Sequence, residues 1–344
     1  MKQLFTLVIL AVLTLGCGQS GKTLLPNVSG KAGEVIVVMD KDNWEGNLGA
    51  QTRDLLTQDC PFLPQREPMY NLVSITPGAF GDLFKVHRNI VFFHIEPAVK
   101  DNGITYRNDV WAHPQCVIQI NAANADSALA LVNRSSEMIL GALEQAERDR
   151  IITNTLLYEE KSIAPQIAGI FGGEVHFPSG YKLRKKTDNF AWVAYQKQYS
   201  NQVVLIYKYP VGDDPDPFSC ESLVAHRNEI LKENVPGMFE NTYMTTSTFM
   251  TPQVRFLRYK GRDFAEMRGL WEVENDYMGG PFVLHAFYSK DGQDIIVLDA
   301  FVYAPKYDKR HYLRQVESLL YSFEWEETAE KDEKRDKNIL RSKK

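Results

Sequence analysis

Two pairs of side chains have the types and spacing for acid–base chemistry. Glu272 and Glu274, followed by Asp276, alternate with other residues, so in a strand the three carboxylates share one face. Two acids at a fixed separation across a groove are what glycoside hydrolysis needs, one as proton donor and one as base or nucleophile. His94 and Glu96 are likewise two apart at the end of a predicted strand, with His113 beyond the next loop. Imidazole beside carboxylate suits zinc or proton transfer. Each pair also has a plainer reading. Glu266 and Arg268 precede the acidic row in the same phase, and Arg255 and Arg258 lie on the expected hairpin partner, so cross-strand ion pairs account for it. Histidines at strand ends commonly hydrogen-bond nearby backbone. The chain has no G-x-S-x-G, H-E-x-x-H or paired C-x-x-C. Neither a metal site nor a cofactor is expected.

Gly16, Gly21, Lys22 and Thr23 fit the phosphate-loop spacing G-x-x-x-x-G-K-[ST]. Pro26 and Asn27 follow too closely for the helix such a loop must open, so no nucleotide is expected. The same stretch carries a stronger signal. Lys2 precedes an apolar run from Leu4 to Leu15, which Gly16 and Cys17 close. Crossing a bilayer takes about 20 apolar residues, so this run reads as a cleaved secretory signal ending at a lipidation site, Cys17. Thr14 and Leu15 depart from the usual residues before such a cysteine.

The positioning elements follow from periodicity. Residues 1–16 are expected as a lipoprotein signal peptide and 17–33 as a flexible tether rich in Gly, Ser and Lys. Residues 34–40 (EVIVVMD), 70–76 and 89–95 (NIVFFHI) read as buried strands separated by helical spacings, with a further strand at 116–121. Asp126 is the expected N-cap of one long helix. Strands alternating with helices predict an α/β domain over 34–155. Residues 156–327 predict an α+β domain with an antiparallel sheet, its hairpins turning at Lys260-Gly261 and Asp291-Gly292. The acidic row belongs to a sheet with one wet face in this reading. Residues 328–344 are expected as a disordered charged tail.

A formal net charge of −5 argues against general nucleic-acid binding. The basic run Lys182, Arg184, Lys185 and Lys186 reads as a solvated hairpin, and Asp213, Asp214 and Asp216 as a turn. With Cys17 acylated, Cys60, Cys116 and Cys220 remain. A disulfide between Cys60 and Cys116, both in the first domain, and three buried thiols are equally compatible with this count.

The extended segments RNIVFFHIEP, DVWAHPQCVI, FPSGYKL, NFAWVAYQ, LIYKYP and VESLLYSFEW resemble domain of unknown function family 4837, envelope lipoproteins of Gram-negative bacteria. The resemblance implies acylation at Cys17 and brings no catalytic residues. The second half is also similar in pattern to the PsbP/Mog1 type of sandwich, which implies a partner-binding domain without a catalytic centre. The expectation is therefore a non-enzymatic envelope lipoprotein that contacts the membrane through its lipid and binds another envelope protein. Gly18 to Gly21 lack an acidic export cluster, which points to the periplasmic face of the outer membrane. The alternative is a periplasmic hydrolase of glycans or peptides, with Glu272 and Glu274 or His94 and Glu96 as its acid/base pair.

Overall fold

The structure is a computed structural model that describes residues 24–326, so the expected signal peptide, the expected lipidation site Cys17 and the expected charged tail lie outside the described residues. A run of apolar residues without alternation suits a strand covered on both faces. β1 (Glu34–Val38) is such a run, and four of its five residues are buried. It sits inside the first sheet, whose order is β2 (Asn71–Ile75), β1, β3 (Asn89–Ile95), β5 (Cys116–Ala122), β4 (Gly103–Asn108). Strands β2, β1, β3 and β5 are parallel, and β4 runs antiparallel to β5. After the short α1 (Lys41–Glu45), α2 (Asn47–Leu56) packs on one face. The small α3 (Asp82–Lys85) lies beyond β2 in the chain. With α2 pack α4 (Ala125–Arg134) and α5 (Ser136–Leu157), burying Leu48, Leu56, Leu131, Val132, Ile139 and Leu143. Phe80, Phe84, Phe92 and Trp111 cover the other face.

Three expectations for this domain need correction. The apolar stripe after residue 126 is continuous, but the helix is not, because Ser135 interrupts it between α4 and α5. Its N-cap is Asn124, whose side chain accepts the Ser127 N–H at 2.9 Å, and Asp126 sits in the first turn. The segment read as a tether is, over residues 26–30, laid along the domain. Val28 donates to the His113 carbonyl at 3.2 Å, Ser29 to Val86 at 2.8 Å, and His113 to Pro26 at 2.8 Å. Gly30, at φ 88°, lies against the His87 ring, where a side chain would have no room. Cys60 and Cys116 are free thiols. Cys116 opens β5 and packs into the first domain's core, whereas Cys60 packs against the core of the second, so one sequence domain did not mean one neighbourhood.

α6 (Ala164–Phe171) carries Pro165 in its first turn, where a missing N–H costs nothing, and ends at Gly172 with φ 68°. β6 (Gly173–Glu174) follows, and then the main sheet begins. This antiparallel sheet runs β10 (Met244–Thr246), β12 (Arg262–Val273), β13 (Gly279–Tyr288), β14 (Asp294–Tyr303), β9 (Ser200–Pro210), β8 (Phe190–Lys197), β7 (Lys182–Lys186). β11 (Gln253–Tyr259) also pairs with β12, through the two-residue turn at Lys260-Gly261. The basic run is the edge strand β7, where charge discourages pairing with another chain. α7 (Cys220–Asn234), capped by Ser219, covers one face over Tyr207, Leu284 and Val297. α8 (Arg310–Leu320) covers the other through Leu313, Val316 and Leu319, and β15 (Glu324–Trp325) returns to pair with β6. The expected wet face is therefore absent at Glu266, which is fully buried on β12 beneath α8.

α8 supplies no cap of its own. Glu67, from the first domain, accepts the Lys309 and Arg310 N–H groups at 2.6 and 2.8 Å. A carboxylate there satisfies orphan donors and complements the helix dipole. Glu67→Ala leaves those N–H groups buried without an acceptor and is expected to cost about 1–3 kcal/mol in urea unfolding. An unchanged midpoint would show that α8 docks without this cap.

Candidate functional site

Residues of like parity on an antiparallel strand share a face, and Glu266 and Arg268 of β12 share the face that α8 covers. β11 brings Arg255 opposite Glu266, and β13 brings His285 opposite it on the other side. Helical spacing places Arg310, Arg314, Glu317 and Tyr321 along one side of α8 and its end. Across from them, α5 of the first domain presents Glu144 and Arg148. Between the two domains these elements enclose a cleft of about 750 Å³.

Its wall is a chain of alternating charge. Glu266 Oε1 accepts from Arg255 Nε and Arg268 Nε, both at 2.7 Å, and Oε2 accepts from the Tyr321 hydroxyl at 3.1 Å. Arg268 Nη2 donates to Glu317 Oε1 at 2.6 Å, and Arg148 lies 3.6 Å from the same oxygen. The Arg148 guanidinium also stacks 3.7 Å from the Tyr321 ring centroid. Beside this chain, Arg314 donates to Glu144 at 2.6 Å and Tyr70 donates to the same carboxylate.

Burial alone would raise the Glu266 carboxyl, but Arg268 overturns it and holds the group well below the usual range. Burial likewise opposes charge on Arg268, and Glu317 with Glu266 restores it. A carboxylate held this way stays ionised, and its lone pairs are already directed at donors. It serves poorly as a general acid or a general base. His285 is buried to 0% exposure, with Nε2 3.5 Å from Glu266 Oε2. Burial pushes it down to about 4, so it is neutral. Burial pushes the Cys60 thiol, at the cleft edge, up to about 11, which removes it as a nucleophile near neutral pH.

The residues singled out from sequence lie elsewhere. Glu272 is the last residue but one of β12 and Glu274 lies past it in an exposed turn; neither lines the cleft. His94 and Glu96 approach to 3.9 Å at the exposed end of β3, and His113 instead contacts Asp109 at 2.9 Å. Among the described residues no group of three or more His, Cys, Asp or Glu side chains is placed to hold a metal. Asp214 accepts the Asp216 N–H at 2.9 Å, a turn contact. The cross-strand pairing expected for the acidic row falls elsewhere, because hairpin register sets Arg255 on Glu266 and Arg258 3.6 Å from Asp263, while Glu272 lies opposite Thr245 of β10. Sequence reasoning passed over Glu317, Arg314, Arg148 and Glu144. Their one signal was charge recurring at helical spacing on faces that also bear apolar residues.

The neutral state of His285 makes the fold acid-sensitive. Its folded pKa, about 4, lies below the ordinary histidine value of 6.5, so the unfolded chain binds the extra proton. Stability is complete above pH 6.5 and falls as pH drops toward 4, by about 3 kcal/mol in all. Glu266, also depressed, adds to the loss only at lower pH. Urea midpoints measured from pH 7 to 4.5 should fall, and His285→Gln should flatten that slope. Equal slopes in the two proteins would remove His285 as the cause.

No curated protein matches the chain. A solved structure, "Human StarD13 (DLC2) lipid transfer and protein localization domain", is 12% identical, covering 42% of this chain and 89% of that one, with a TM-score of 0.18. Residues 28–155 match Domain of unknown function (DUF8532). The second domain, residues 160–322, carries the match to Domain of unknown function (DUF4837), and it is this part of the chain that belongs to that family.

Proposed function

We propose that this protein is a non-enzymatic lipoprotein of the bacterial envelope, held to the membrane through acylated Cys17, that binds another envelope component. The observation carrying this reading is the state of the cleft carboxylates. Glu266, Glu317 and Glu144 are each bound to arginine, an arrangement that fixes shape and charge and leaves none of the three free as an acid or base. Further support comes from the apolar run before Cys17, and the absence of acidic residues from Gly18 to Gly21 favours the periplasmic face of the outer membrane. We read the second domain as a PsbP/Mog1-type sandwich, on the antiparallel sheet and the last helix running into a short strand; the precedent there is partner binding. The hydrolase alternative has less behind it, because Glu272 and Glu274 do not line the cleft.

Crosslinking and pull-down of the lipidated protein from native membranes, beside a Cys17→Ala form exported by a non-lipoprotein signal, tests this reading. A partner recovered in near-equal amount with the anchored form, and lost without the anchor, is the expected result. An empty pull-down from well-solubilised membranes would sink it.

A further inference from the structure

We propose that the interdomain cleft is a binding site for an amphiphilic organic anion, a small molecule with one acidic head group and an apolar body. The inference rests on the reading that the protein binds rather than converts its ligand, and it names the ligand's chemistry. Four observations on the cleft support it independently of one another.

The first is size. A cavity of about 750 Å³ lies within the range of small-molecule pockets, roughly 300–1,000 Å³. The second is charge. Along the chain Arg255–Glu266–Arg268–Glu317–Arg148, three guanidinium groups share two carboxylates. Over the whole lining six arginines face five acids, a surplus of one positive charge, and Arg255, with 58% of its side chain exposed, presents it to solvent. A low-dielectric wall strengthens the attraction for an anion. The third is the apolar lining. Leu140, Leu257, Leu313 and the rings of Tyr259 and Phe264 border the same space, which suits the body of the ligand.

The fourth is Gly141. It lies in mid-helix on the α5 face that lines the cleft, where glycine is a poor helix former. Packing does not require it, since an added Cβ would meet nothing within 4 Å. What glycine preserves at this position is open space in the cavity. Gly141 therefore offers a way to fill the site without touching its arginines.

The test uses the Cys17→Ala chain, so that no detergent is needed, and 1-anilinonaphthalene-8-sulfonate as an anionic aromatic probe. Saturable binding with blue-shifted emission is expected, with displacement by octanoate and not by octylammonium at equal ionic strength. Gly141→Phe should abolish binding while the melting temperature stays level or rises. Arg258→Gln, at the exposed rim, should weaken binding about tenfold, the loss of one charge-assisted contact. Absence of saturable binding, equal displacement by octanoate and octylammonium, or full binding by Gly141→Phe would each overturn the proposal. Because the readout needs no envelope partner, a failure here is distinguishable from a failed pull-down.

Discussion

The carboxylate of Glu67, carried by a loop of the first domain, accepts the first N–H groups of α8, a helix of the second. A helix end buried without acceptors is unstable, so α8 is complete only when the first domain is in place. Two further contacts reinforce the seat, as Arg314 reaches both the Met69 carbonyl and Glu144 of α5. The apolar side of α8 meanwhile roofs the antiparallel sheet through Leu313, Val316 and Leu319. One helix therefore belongs to two packing problems, and the cleft beside it inherits a shape set by both.

That dual role accounts for the concentration of charge. A helix wholly inside one core would be apolar on the buried side, but α8 also faces another domain's surface, where polar groups must be paired when water is removed. Glu317, Arg268, Glu266 and Arg148 satisfy one another, and removing either carboxylate would leave its arginines without full compensation. A second buried pair, Arg227 with Asp299 at 2.8 Å, pins α7 to β14 on the opposite face in the same manner.

Chemically, the network separates a rigid, charge-defined surface from a reactive one. Carboxylates kept ionised by bound guanidinium groups, a neutral buried imidazole and a thiol raised by burial are each displaced from the range useful for turnover at neutral pH. What remains available is shape, a surplus of cations and an apolar floor.

Much of this was legible in the sequence. The uninterrupted runs at 34–38 and 89–95 could only be buried strands, and Lys260-Gly261 could only turn a hairpin, because local sterics and apolar burial are written in adjacent residues. Pairing of Arg255 with Glu266 was legible too, since hairpin register is local. The unpaired state of Cys60 and Cys116, the docking of residues 26–30, the cap at Asn124 and the burial of Glu266 were not. Each depends on which distant surface arrives opposite. A polar row along a strand has the same period whether it faces water or another domain, and only the packing of α5 and α8 decided that it faces a cleft.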